Sequence, residues 1–398
     1  GDLKKTEKRQ RPAAESAHKP APVFNRDRIE AFACGKPSEA FGAPYRIFDD
    51  GRFIARLPRP PYLFMDRVID VEPEAWVLKP DGWVTTEVDI HPDAWFFHAN
   101  RVPHMPFCVL NEIALQPCGW LAAYMGSALK SQKDLRFRNL GGQAKIHSDL
   151  LREHYPLTTR ARLTQMSVAG DMIIEHFDFT VLQSDQMVYE GTTNFGFFTK
   201  DALASQIGIR EAASSGYDPS ASELQRAKHE MLPGHAPDTP EDECNNRLLN
   251  MGMPANAIRM IDRIDAYLPQ GGPSALGYVS GSKMVDPGAW FFKAHFYQDP
   301  VCPGSLGLDS LIQLLKYMAL DRWGSIEKSH RFSLVTGQGH QWTYRGQITP
   351  ENKRIDLQAI VNRIKETPYT EIHADGFLKV DGLCIYKLEN FCLRLVPI

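Results

Sequence analysis

Paired cysteines are missing from this sequence. Its seven cysteines (Cys34, Cys108, Cys118, Cys244, Cys302, Cys384 and Cys392) are scattered, odd in number and never spaced as C-x-x-C, which argues against a disulfide framework and a zinc site and fits a reducing, cytoplasmic compartment. An excess of one charge is missing too. With 45 basic and 48 acidic side chains and a formal net charge of -3, the chain has no basic footprint for nucleic acid. Nor is there an apolar run long enough for a bilayer, because the best stretch, 306–320, is interrupted by Asp309, Gln313 and Lys316. The charged N-terminus has no apolar core of a signal peptide, so none is expected ahead of the first domain. No motif calls for a metal or a cofactor. What is present is 398 residues at 43% hydrophobic and 23% charged, enough for two soluble domains with real cores.

Composition divides the chain. Residues 1–23, rich in Lys, Arg, Glu, Pro and Ala, read as a linker. A first domain follows over 24–211, with a short helix at 27–33, a strand opening at Tyr62 and a helix from about Cys108 to Lys130. Segments beginning at Thr158, Ile173 and Gln186 alternate polar and apolar residues with the period of antiparallel strands. Residues 212–250 carry breakers and charge and read as an interdomain linker with a helical piece near 223–231. A second domain occupies 251–398. It has an apolar helix that Gly324 ends and strands from His340, Arg354, Thr370 and Leu383, the last two joined by the hairpin signal Asp381-Gly382.

The second domain repeats the first. Asp262-Arg263 matches Asp66-Arg67, Trp290-Phe-Phe matches Trp95-Phe-Phe, and the offsets are all about 196 residues. Each copy holds one strongly apolar helix and a run of strands with one apolar face, so each sheet is expected to curl around its helix.

Two stretches, 95–116 and 290–313, carry the candidate chemistry. In both, a His stands eight residues before a Pro, an acid six after it and a Gln ten after it: His98, Pro106, Glu112, Gln116, and His295, Pro303, Asp309, Gln313. Pro303-Gly304 opens a helix whose first N–H groups lack intrahelical partners, a place for an anion or a developing oxyanion. Asp309 and Gln313, four apart, share a face. Burial along an apolar helix raises a carboxyl pKa, and a protonated carboxyl can donate to a leaving hydroxyl. An imidazole with an ordinary pKa of about 6.5 can take a proton from carbon. A single such His or Asp is more often structural; the repeated spacing weighs toward function.

The run from His295 through Asp-Pro-Val and Pro303-Gly304 to Asp309, with the Asp-Arg lead-ins and the strand around Val380, resembles the bacterial β-hydroxyacyl-carrier-protein dehydratase/isomerase family. As a tandem it is similar to the paired dehydratase domains of polyunsaturated fatty acid (polyketide-type) synthases. The resemblance implies an α+β double hotdog forming a pseudo-dimer. It implies dehydration of 3-hydroxyacyl groups to trans-2-enoyl groups, with isomerisation to cis-3 as an extension. The expected partners are acyl carrier protein domains bearing phosphopantetheine-linked chains and other domains of the same synthase. In that family His is the base, the acid protonates the leaving hydroxyl, and a helix-start N–H, here Gly304, holds the thioester carbonyl. Because the family's sites lie between two hotdogs, His295 would work with Glu112 and His98 with Asp309. Gln116, Gln313 and Phe107 would line the substrate's path.

The first copy departs from the pattern. His98 follows Trp-Phe-Phe directly, Val102-Pro-His104 replaces Asp-Pro-Val, and Phe107 stands where Gly304 would be. This favours the pair His295 and Glu112 and leaves His104 as a rival base. Cys108 and Cys302 read as tunnel-lining or core; His340, Trp342 and Tyr344 as core or sheet face; His147 and His176 as surface or strand residues. Two other readings stand beside the dehydratase: a non-catalytic acyl-binding hotdog pair and a hotdog thioesterase.

Overall fold

The computed structural model describes residues 21–170, 172–232, 252–324 and 329–398, so most of 1–23 and residues 233–250 of the second linker lie outside the described residues. Period-two alternation produces strands with one inward face. In β5 (Met172–Gln183) every second residue from Ile173 to Val181 is buried. The other strands of the first copy are β1 (Arg67–Glu72), β2 (Trp83–Ile90), β3 (Arg136–Ile146), β4 (Tyr155–Ala169) and β6 (Gln186–Phe198). A short β7 (Lys228–Met231) follows. The second copy gives β8 (Arg263–Leu268), β9 (Tyr278–Met284), β10 (His330–Leu334), β11 (Gly339–Tyr344), β12 (Arg354–Lys365), β13 (Thr370–Val380) and β14 (Leu383–Pro397).

Spatial order makes the duplication explicit. The first copy runs β1-β2-β4-β5-β6-β3 and the second β8-β9-β12-β13-β14-β11, within one 14-stranded antiparallel sheet. The halves join where β3 pairs with β11, from Gly141 against Thr343 to Lys145 against Gly339. At that seam a Cβ on Gly141 would stand 2.6 Å from the Trp342 carbonyl oxygen, so the join needs a glycine there.

A first central helix (Phe107–Tyr124) packs on β2, β4 and β5, a second (Gly304–Arg322) on β9, β12, β13 and β14, and the two touch each other. Both are buried on nearly every side, which explains why their apolar residues show no single stripe. Pro117 removes a backbone donor inside the first helix, and the freed Ile113 carbonyl accepts from Thr159 Oγ1 at 3.2 Å. Among the described residues, no helix is long and apolar enough to cross a membrane.

Three local expectations changed or sharpened. The helix expected to reach Lys130 stops at Tyr124, because Gly126 turns the chain at φ +81° into a separate 3-10 turn, Ser127–Lys130. The helical piece near 223–231 is one turn, Ala221–Leu224, closed by a Ser220–Glu223 capping box. Past it, β7 uses the open edge of β8 for its backbone hydrogen bonds. Asp381 and Gly382 do make the tight hairpin, at φ +47° and +87°, with Val380 facing Leu383.

Candidate active site

Each central helix fixes its acid through the glutamine one turn on. The Gln116 Oε1 accepts from the Phe64 N–H at 2.8 Å, and its Nε2 donates to the Tyr62 carbonyl at 2.8 Å and to Glu112 Oε2 at 2.9 Å. Gln313 repeats the arrangement, accepting from Met260 N–H and donating to the Ile258 carbonyl and to Asp309 Oδ2. Both amides are thus engaged in tying the lead-in chain to the acid. Gln116 also borders the main cavity, but its amide faces protein partners, as does that of Gln313.

The loop after Trp290–Ala294 presents His295 in one orientation. Its Nδ1 lies 3.0 Å from the Val301 carbonyl oxygen, while the Val301 N–H donates back to the His295 carbonyl at 2.8 Å. A carbonyl can only accept, so Nδ1 carries the proton and Nε2 keeps its lone pair. The first copy braces this loop: Asp299 is paired with Arg138 at 2.8 Å and Arg136 at 3.3 Å, both on β3. Burial, helped by Arg138 and opposed by the Val301 bond, brings the His295 pKa down to about 3. The ring is neutral at ordinary pH.

Glu112 comes from the other copy and borders the same cavity, a cleft of about 910 Å³ including its open mouth. Its Oε1 accepts from Ser305 Oγ of the second central helix at 2.6 Å, and Tyr62 Oη lies 3.0 Å from that Oγ. Burial raises the Glu112 pKa against the lowering effect of those hydrogen bonds. Gly304, the first residue of its helix after Pro303, borders the cavity as well, with a helix-start N–H that no intrahelical acceptor can reach. One cavity therefore gathers an oriented neutral imidazole, a carboxyl whose pKa burial raises, and a helix-start backbone N–H. Cys302 also lines it, but burial pushes that thiol up, as it does Cys108, away from the thiolate a nucleophile needs.

The partner arrangement is not assembled in the same way. Asp309 is buried and accepts from the Cys108 N–H at 3.4 Å. His98 is exposed, its Nε2 3.3 Å from Arg152, so the structure does not bring it to Asp309. The reason is local: without the two extra residues that precede His295, His98 stays on the helix Trp95–Asn100 and faces solvent. His104 is buried against Asp149 at 2.6 Å. Phe107 narrows a smaller cavity of about 330 Å³ that also touches Ile146 and Ile312. Lys316, the counterpart of cavity-lining Gly119, turns its Nζ to the Gly252 carbonyl at 3.1 Å and Asn100 Oδ1 at 3.4 Å. Burial raises Asp309 and lowers Lys316, each against the other's attraction.

Among the described residues, no cluster of His, Cys, Asp and Glu is arranged to hold a metal ion. The functional candidate missed in sequence is Tyr344, a cavity-lining strand residue. Its signal lay in Gly304, whose missing side chain leaves room for the ring.

The chain is 31% identical to a polyunsaturated fatty acid synthase polypeptide of a Thraustochytrium species over 388 residues; that is 92% of this chain and 25% of the relative, so the chain spans about a quarter of the relative's length. Solved structures it resembles include the dehydratase domain of the CurJ module of the curacin polyketide synthase (TM-score 0.43, 13% identity, 84% of this chain and 96% of that one). Another is the 12:0-ACP thioesterase of Umbellularia californica (TM-score 0.37, 11% identity, 79% and 94%). Such loose likenesses, to two reaction classes, carry no argument about chemistry. The sequence itself matches the FabA-like domain over residues 57–192 and again over 253–389, once in each copy. With two such segments in a large antiparallel sheet of hotdog-like fold, the chain belongs to the FabA-like family.

Proposed function

We propose that this chain dehydrates 3-hydroxyacyl thioesters to trans-2-enoyl thioesters at one composite site, with His295 as base and Glu112 as acid. The two hotdog units, 24–211 and 251–398, complete each other as an intramolecular pseudo-dimer. The observation that carries the reading is that His295 and Glu112, from different copies, border one cavity. His295 Nε2 takes the C2 proton, the C2–H electrons become the C2=C3 bond, and the C3–O bond breaks. Glu112 supplies a proton to the departing hydroxide, which leaves as water. The Gly304 N–H holds the thioester carbonyl as negative charge develops there.

A buried imidazole with a pKa of about 3 is a weak base. Its strength grows during the reaction, because Glu112 becomes a carboxylate as it gives up its proton, and a nearby negative charge favours the imidazolium. The substrate is proposed to arrive on an acyl carrier protein within a larger synthase, a context suggested by the relative's name.

The test is incubation with a 3-hydroxyacyl thioester and mass analysis of the products. An enoyl thioester, lighter by one water, is expected. Release of the free 3-hydroxy acid would instead identify a thioesterase, and an unchanged thioester would leave an acyl-binding module.

A further inference from the structure

Tyr344 lies at the end of β11 on the cavity wall. Its hydroxyl is buried and has no hydrogen-bond partner among the described residues. A buried polar group left unpaired is costly, and its persistence calls for an explanation. The neighbourhood supplies one. A Cβ placed on Gly304 would stand 2.8 Å from Tyr344 Oη and 2.7 Å from Cζ, so the hydroxyl sits against the first residue of the second central helix. Tyr386, its partner across β14, meets it edge to face at 4.6 Å.

The other copy provides a comparison. There Ile146 faces Tyr189 across β6, as Tyr344 faces Tyr386 across β14, and Ile146 borders the narrow cavity beside Phe107. Where the helix opens with glycine, the strand offers a hydroxyl; where it opens with phenylalanine, the strand offers an apolar side chain. The unpaired hydroxyl thus occurs on the side that has the oriented base and the acid whose pKa burial raises.

We propose that Tyr344 is a catalytic residue, its Oη–H donating to the thioester carbonyl oxygen beside the Gly304 N–H, so that two donors stabilise the enolate-like charge formed when C2 loses its proton. Burial holds the phenol well above its ordinary pKa, which keeps the donor protonated. The inference rests on the dehydratase reading.

Tyr344→Phe removes the hydroxyl and keeps the ring. With a 3-hydroxyacyl thioester, kcat is expected to fall about 10- to 100-fold with KM within about twofold, the pattern for a donor used in the transition state. The thermal midpoint is not expected to fall, since the lost group has no partner among the described residues. A kcat within about twofold of the parent overturns the inference. So does a loss confined to KM, or one accompanied by a lower thermal midpoint. His295→Ala is assayed alongside. A parent that makes no enoyl product removes the dehydratase reading itself. A parent silenced by His295→Ala but indifferent to Tyr344→Phe keeps that reading and removes only the second donor.

Discussion

His295→Ala is expected to lower the dehydration rate about a thousandfold, the scale of a lost general base, while His98→Ala leaves it within about twofold. The two histidines occupy the same offset from their prolines, yet their surroundings differ. His295 is buried, with Nδ1 committed to Val301 and its loop braced by Arg138. The His98 imidazole faces solvent and Arg152. Steady-state rates of the two variants beside the parent check this directly. Comparable losses in both would mean that the second arrangement also assembles a working site.

Gly119→Leu is expected to separate long substrates from short ones. Away from His295 and Glu112 the cleft runs along the first central helix past Leu115 and Gly119, with Phe137 and Phe195 opposite. The Phe137 ring stacks on Phe195 at 4.5 Å. Beyond it lies a further cavity of about 290 Å³ under Phe32, Ile54 and Ala123 that shares Gly119 and Phe137 with the first. An acyl tail following this path would pass directly over Gly119, where an added Cβ would stand 3.3 Å from Phe137 Cε1. A leucine there fills the passage. Excluding about three methylenes at roughly 0.8 kcal/mol each lowers kcat/KM for a 3-hydroxydecanoyl thioester about fiftyfold. A 3-hydroxybutyryl thioester ends before the obstruction and should be converted at nearly the parent rate. The ratio of the two specificity constants is the measurement; equal losses would show that the tail takes another route.

Much of this architecture was legible in the chain. The repeated spacing marked the duplication, because both copies place the Pro, the acid and the Gln on the same parts of their central helices, although His98 stays on its helix where His295 lies in the loop after one. The central helices were legible as apolar runs bounded by Pro106 and Pro303, and β4, β5, β6, β12 and β13 by their alternation. Short strands such as β2, β9 and β10 were not, since their burial depends on neighbours far away in sequence. The glutamines show a second limit. Spacing places Gln116 on the face of Glu112, but only the folded lead-in reveals that its amide is engaged by Tyr62 and Phe64. Lys316 is a third case. The same position of the repeated helix leaves space in one copy and fills it in the other, and Gly119 against Lys316 gains meaning only once the cavity is located. For Tyr344, period-two alternation gives a face of the sheet, not what that face meets.

The central claim is that acid and base come from different copies and meet in one site. It is tested most directly by comparing Glu112→Gln with Asp309→Asn in the same dehydration assay. Glu112→Gln keeps the size of the side chain and removes the proton donor, so it should match His295→Ala in its loss, while Asp309→Asn retains most of the parent rate. Full activity in Glu112→Gln, with loss in Asp309→Asn, would contradict the pairing of His295 with Glu112.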